Sequence, residues 1–498
     1  MTDTAQRLQQ NYLIVDQGGT SSRAMVFGPR GQMLDLQREP VTTERPHAGW
    51  VEQSPEAMVV SIEAVVKRAL GSISARYKSW LRAVGLVTQR SSLVCWDRHS
   101  GEALSPILSW QDTRASQWLQ DQDFNLADMH RRTGLFPNAH FGASKMRWCL
   151  DHLEPVQTAA AAGRLCMAPL ASYLIFKLVA GAPYMVDPAN ASRTLLMNVT
   201  TRDWDDDLLS QFGIDRAYLP DIVSSTADFG LIKPAISGPA PLALQLVNGD
   251  QSAAAFAMGE PDNSSVYINI GTGAFIYRRI EQPVLGGRLL SSIVYWQDKH
   301  KAPYYVEEGT VNGAGAALSW YAGQLGVPNA TRWIIEQLNA LKDIVRSEVP
   351  IFINGIGGLG SPYWQADFSS YFIGEGGQQK KFIAVVESII FLLYRNLLLM
   401  EPQGKIFDRI VVSGGLANSD FICQSLADLS GLPVVRVEEC EASARGAAYL
   451  LAAGPIDWAV LKQQIFQPVP IENNGQSTIT QRFEQWQQQM EIAVAAKV

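Results

Sequence analysis

The chain has 498 residues, 47% hydrophobic and 18% charged, a balance that supports a large core and excludes disorder, collagen and coiled coil. Lys plus Arg number 41 against 48 for Asp plus Glu, a net charge of -7; no basic face for general nucleic-acid binding is expected, although a local phosphate pocket stays open. The five cysteines are odd in number and form no C-x-x-C, which excludes a disulfide scaffold and a paired-thiol zinc site.

The first residues, Met1–Gln10, are polar, so no secretory leader is expected and the cytoplasm is the expected compartment. Tyr12–Asp16 is a short apolar strand, Gln17–Thr20 a glycine turn and Ser21–Phe27 a second strand, together a β-hairpin. Pro55–Leu70 has helical spacing, Ala83–Val87 is a buried strand, and Ser144–Leu150 and Leu170–Val179 are helices. Strand, Gly-Thr turn and strand return at Ser265–Ile270, Gly271–Gly273 and Ala274–Tyr277, about half a chain later. The turn-rich Met258–Ser265 before them reads as a linker. Phe382–Met400 is long and apolar enough to tempt a membrane assignment, but Glu387, Arg395 and Asn396 are costly in hydrocarbon, so a buried helix is expected. Val349–Asn354, Ile410–Val412 and Val434–Val437 are strands; Phe421–Ser430 and Ala442–Ala453 are helices; the glutamine-rich tail is expected to be a solvated helix. The alternation gives an α/β class. Two domains of similar architecture are expected, over 11–258 and 265–455, with an extension over 456–498.

Gly355–Gly360 satisfies G-x-G-x-x-G, but Ser361-Pro-Tyr-Trp follows instead of a helix and no acidic residue lies at the dinucleotide distance. No P-loop and no G-x-S-x-G elbow occur. What remains is the pair of Gly-Thr turns, which can be plain hairpins or anion-binding concavities of backbone N–H groups. Asp16 beside the first turn either caps it or approaches phosphate through Mg²⁺. Asp250 either caps a helix or serves as a general base in a cleft between the domains.

Asp16–Arg23, Gly249–Gln251, Gly271–Gly273, Gly358–Trp364 and Gly414–Asn418 occur in the order of the FGGY carbohydrate kinases, and the chain resembles that family from about Tyr12 to Ala453, most closely its glycerol kinase branch. The resemblance implies two actin-like (ribonuclease-H-like) domains around a cleft, with ATP and Mg²⁺ as cofactors and a small polyol or sugar as the partner. By the same resemblance Asp16 is linked to the metal, and Gly19, Thr20, Ser21 and Arg23 belong to the first phosphate turn. Gly271 and Thr272 form the second turn, Gly315, Gly414, Gly415 and Asn418 hold the adenosine part, and Asp250 is the base. No membrane partner is implied, and the family's members are often dimers or tetramers.

Substrate contacts carried over are Arg90, Trp110, Asp250, Gln251 and Phe275. Two positions depart: Ser91 stands where glycerol kinases carry Glu, and His140 where they carry Tyr. Gly19 also replaces a threonine. Losing a charged acceptor for hydroxyls implies that glycerol is not preferred, that a larger polyol or ketose fits the added room, and that a sugar acid suits an Arg90 lacking its neighbouring carboxylate. The segment before Asn248 lacks the glycine- and Arg-bearing loop of fructose-bisphosphate-regulated relatives, so that control is not expected. The rival expectation is an actin-like nucleotide switch without a small substrate, or a catalytically altered relative.

Overall fold

The computed structural model describes residues 10–73, 78, 80–239, 241–341, 348–401, 406–438, 441–454, 458–469 and 479–496; Cys440 and part of the 456–498 extension lie outside them. In the first domain, β1 (Asn11–Gln17), β2 (Ser21–Phe27), β3 (Met33–Pro40), β4 (Leu81–Thr88) and β5 (Ala243–Gly249) form one sheet in the order β3-β2-β1-β4-β5. β1, β2 and β3 are an antiparallel meander, while β4 and β5 join in parallel. β1 is buried along its whole length. That is why it reads as a continuous apolar run, the mark of a strand covered on both faces.

The second domain carries β6 (Ser265–Ile270), β7 (Ala274–Ile280), β8 (Leu290–Tyr295), β9 (Tyr304–Val311), β10 (Arg409–Ser413), β11 (Val434–Val437) and β12 (Gln463–Phe466), ordered β8-β9-β7-β6-β10-β11-β12. Within it, β9-β7-β6-β10-β11 matches the first sheet strand for strand, with antiparallel neighbours on one side of β6 and parallel ones on the other. The repeat seen in two hairpins is thus a repeat of five-stranded sheets, the actin-like plan. Helix α1 (Pro55–Ser72) starts where Ser54 accepts from the Ala57 N–H and Pro55 opens the first turn. Further helices are α2 (Asp250–Ala254), α3 (Gly315–Gln324), α4 (Gln378–Met400), α5 (Asp420–Ser430), α6 (Ala442–Leu451) and α7 (Ile479–Ala495).

α4 is the apolar segment that could be mistaken for a membrane span; it is mostly buried in the second domain's core. Two of its polar residues are paired there: Asn396 donates to the Ser361 and Leu392 carbonyls, and Glu387 receives two N–H groups of Arg482. The tail departs from expectation. α7 is not solvated all round, because Ile479, Phe483, Trp486, Met490 and Ala493 bury one face against the same core. Glutamines on its outer face mask the amphipathic stripe in a count of composition.

The domains interlock through α6. It packs on α2 and on the first sheet so closely that a Cβ on Gly446 would lie 1.8 Å from the Ala253 carbonyl oxygen. Buried Arg445 donates across the boundary to the carbonyls of Ala257 at 2.8 Å and Gly31 at 2.6 Å. The helix bearing Asp250 therefore rests on an element of the second domain.

Candidate active site

Each Gly-Thr turn has its carbonyls anchored behind it. In the first, Gln17 Nε2 donates to Gly18 O at 2.6 Å, and Gly19 O accepts from Gln53 Nε2 at 2.8 Å and Thr43 Oγ1 at 3.2 Å. A trans peptide is planar, so the N–H groups of Gly19 and Thr20 point opposite to those anchored oxygens. In the second turn Gly271 O accepts from Gly315 N at 3.0 Å and Thr272 O from Ala316 N at 2.9 Å, which turns the Thr272 and Gly273 N–H groups the other way. The two turns present backbone donors by the same device, the arrangement of an anion-binding nest. Ser21 closes the first turn with its carbonyl, which accepts from Gly18 N at 3.0 Å.

Asp16 is the penultimate residue of β1, with 1% of its surface exposed. Its Oδ2 lies 2.9 Å from Arg23 Nη2, yet neither carboxylate oxygen receives a directed hydrogen bond. Burial, reinforced by Asp250 and Glu441 and opposed by Arg23, pushes Asp16 up to about 7. An almost unsolvated carboxylate with unused lone pairs fits a cation brought with a phosphate. Among the described residues no group of three or more His, Cys, Asp or Glu could enclose a metal, so such a cation would be shared with phosphate oxygens, as Mg²⁺ commonly is. Arg23 is paired on its other side with Glu441, at the entry to α6 of the second domain.

Asp250 is the first residue of α2, and its Oδ1 accepts from the Gln251 N–H at 2.7 Å. Burial raises its pKa against the pull of Arg90, Arg23 and Arg193. Arg90 is not the free cation expected from the sequence. Its Nη2 donates to Gln251 Oε1 at 2.6 Å and its Nη1 to Ser252 Oγ at 3.3 Å. Burial and Arg193 bring it down to about 10, while Glu308, Asp250 and Asp187 hold it up. Buried Glu308 pairs with Arg193 at 2.5 Å; burial raises its carboxyl, but Arg193 and Arg90 outweigh that and hold it low.

Ser91, Trp110 and His140 form a second group, joined by Lys145 and by the contact of the Trp110 and His140 rings. Ser91 has φ +63°, and its buried Oγ has no partner. Trp110 and His140 meet edge to face with ring centroids 5.6 Å apart. Burial, then Lys145, Arg193 and Arg90, hold His140 well below its usual value and so neutral. Fully buried Lys145 donates to the carbonyls of Ser91 at 3.2 Å and His140 at 2.7 Å, tying the two altered positions together. Its ammonium is lowered by burial to about 7.

A cavity of about 330 Å³ lies between the domains, lined by Arg90 and Gln251 of the first and by Phe275, Glu308, Gly414 and Asn418 of the second. Gly414 has φ +92°, and a Cβ there would meet the Ile270 carbonyl at 2.6 Å, so only glycine fits. Gly415–Asn418 is a short 3₁₀ turn held by Arg436, which donates to the Ala417 and Asn418 carbonyls. Gly315 stands behind the second turn. Its N–H is used by Gly271 and its Cβ position is 2.8 Å from that carbonyl, so it acts on the turn from behind.

Sequence reasoning missed Arg193, Gln89, Glu441 and the role of Glu308. Asp187-Pro188 reads locally as a helix cap, which it is; nothing nearby marks Arg193 as the partner of a residue 115 positions on.

Residues 11–257 match the N-terminal domain and residues 266–454 the C-terminal domain of the FGGY family of carbohydrate kinases. A glycerol kinase of Citrifermentans bemidjiense is 33% identical over 472 residues, covering 91% of this chain and 92% of the relative. Among solved structures, Plasmodium falciparum glycerol kinase with ADP superposes with a TM-score of 0.85 at 21% identity, over 97% of this chain and 98% of that one. Gluconate kinase from Lactobacillus acidophilus gives 0.83 at 21% identity, over 98% and 99%. These likenesses carry the fold, two actin-like domains, and disfavour the expectation of a nucleotide switch without a substrate. The chain belongs to the FGGY family of carbohydrate kinases and is an ATP-dependent phosphotransferase.

Proposed function

We propose that this kinase transfers the γ-phosphate of ATP to a terminal hydroxyl of a small polyol or sugar, with Asp250 as the base, and that glycerol is not its preferred acceptor. The observation that carries the reading is Asp250 itself: a buried carboxylate with a raised pKa, at a helix start in the cleft, beside the Arg90–Gln251 pair. With Oδ1 bonded to the Gln251 N–H, Oδ2 is left to take the hydroxyl proton as oxygen attacks phosphorus. A primary alcohol is a very weak acid, so this acceptor matters as the bond to phosphorus forms.

The remaining work is positioning and charge stabilisation. The turn N–H groups of Gly19, Thr20, Thr272 and Gly273 would receive phosphate oxygens, and Gly414 and Asn418 would border the nucleoside. Asp16 would hold Mg²⁺, which when bound neutralises charge on the transferred group. Ser91 and His140 support the preference against glycerol, since the carboxylate and phenol expected to hold its hydroxyls are absent. A sugar acid is the weaker fit, because the Arg90 donors already serve Gln251 and Ser252.

The test is ADP release with the full chain over a panel of polyols, ketoses and aldonates. Stimulation by a polyol or ketose above that by glycerol is expected. Glycerol as clearly the best acceptor would overturn the preference, and no stimulation by any of them would overturn the acceptor class.

A further inference from the structure

Gly19 leaves an opening in the wall between the first turn and Trp110. A Cβ built on it would have only two neighbours within 4 Å, Gln89 Oε1 at 3.7 Å and Trp110 Nε1 at 3.9 Å. One is an acceptor and the other a donor, and both lie close to one empty point. Gln89 is 3% exposed, and its Oε1 accepts no hydrogen bond.

The orientation of that amide is dictated by the backbone. Carbonyls only accept, so Gly18 O and Gly19 O fix the nitrogens of Gln17 and Gln53 towards themselves. The oxygens of Gln17 and Gln53 then both face Gln89, whose nitrogen donates to them at 3.2 and 2.8 Å. Gln89 Oε1 has to face the other way, towards the space beside Gly19. A buried acceptor without a donor is costly, and each such group in a native protein calls for an explanation.

We propose that this slot receives one hydroxyl of a neutral polyol or ketose longer than three carbons, donating to Gln89 Oε1 and accepting from Trp110 Nε1. A hydroxyl can do both; a carboxylate has no proton for Gln89 and would set two acceptors against each other. The space beside Gly19 borders Trp110, one of the acceptor contacts carried over by the resemblance. The proposal rests on the acceptor class proposed above and narrows it.

The experiment measures kcat/KM for glycerol, four- and five-carbon polyols, pentuloses and gluconate. It compares the wild type with Gly19→Thr, which fills the slot, and Trp110→Phe, which keeps the ring and removes the N–H. The wild type should favour a four- or five-carbon neutral acceptor, and each variant should lower the ratio of that acceptor to glycerol at least tenfold. Thermal shift by ADP reports whether each variant keeps its fold and nucleotide site. Should both variants fail to fold, mono-deoxy analogues of the best acceptor decide with the unmodified enzyme. One of them, away from the phosphorylated position, should lose at least tenfold in kcat/KM. Ratios unchanged in a folded variant, no sensitive deoxy position, or gluconate as the best acceptor would overturn the slot. Absence of stimulation by every acceptor would instead strike the parent reading.

Discussion

Asp250→Asn separates the chemistry of the site from its architecture. An amide oxygen can still accept the Gln251 N–H that Asp250 Oδ1 receives at 2.7 Å, so the start of α2 keeps its geometry. What disappears is the proposed proton acceptor and one negative charge. A positioned base contributes about 10²–10⁴-fold, or about 3–5 kcal/mol of barrier, and kcat should fall by that factor. Binding should move the other way. The Asp250 carboxylate now opposes Arg90, Arg23 and Arg193 and helps push Asp16 up. Without it, the cleft attracts phosphate more strongly, and the KM for ATP should stay level or fall. Steady-state ADP release gives kcat, and calorimetry with a non-hydrolysable ATP analogue gives affinity. The wild-type kcat should also show an acid limb above the ordinary carboxylate range, since burial raises Asp250, and the variant should lose that limb. A kcat within tenfold of wild type, with the limb retained, would refute the role of Asp250 as base.

Asp16 lies at about 7 when folded against 3.8 for an unperturbed aspartate, so the folded state binds its proton more tightly and ionisation weakens the fold as pH rises between those values. Asp16→Asn should therefore raise Tm by a few degrees at pH 8, with the gain shrinking towards pH 5, while magnesium-dependent ATP binding is lost; equal Tm at pH 8 would contradict the buried charge. Gly446→Ala should gain about 1 kcal/mol by helix propensity, but its Cβ would collide with the Ala253 carbonyl, so a net fall in Tm together with at least a tenfold loss of kcat is expected, read by thermal denaturation and ADP release. Arg482→Met should destabilise by about 3–5 kcal/mol in denaturant titration, because it takes two donors from buried Glu387, and the Glu387→Met/Arg482→Met double variant should recover most of that loss.

The elements legible in the sequence were those whose signal is local. Both hairpins announced themselves because β1 and β6 are apolar runs ending in glycine turns, and α4 because Glu387, Arg395 and Asn396 argued against lipid despite its length. The glutamine-rich tail misled because composition averages over a helix, whereas burial of Phe483, Trp486 and Met490 depends on their shared face. In the site, glycine, aspartate and threonine at the turns stood out by type and position. Arg193 and Glu308 did not, because their pairing joins strands and loops of different domains and leaves no trace in spacing. Nor could Arg90 be placed. A neighbour's carboxylate was missing from the sequence at Ser91, but Gln251 and Ser252 reach the guanidinium from 161 and 162 positions away.

The charge pattern explains how an acidic chain can hold a nucleotide. Around the cleft, Arg23, Arg90 and Arg193 face Asp16, Asp250, Glu308 and Glu441, and every one of these cations already has a carboxylate or amide partner. Little unspent positive charge is left to meet a triphosphate. The site resolves this with dipoles: anchoring the Gly18, Gly19, Gly271 and Thr272 carbonyls behind the turns fixes their N–H groups without adding charge, and fixed donors need no reorganisation as charge moves to the transferred phosphoryl group. On the proposed reading, the remaining negative charge would be met by a cation shared between Asp16 and the phosphates. Because Asp16 is partly protonated near neutral pH, that cation and a proton compete for one carboxylate, and nucleotide binding at pH 7 should release a proton that at pH 9 it does not. Calorimetry in buffers of different ionisation enthalpy would detect the difference, and equal proton release at the two pH values would show that Asp16 does not hold the metal.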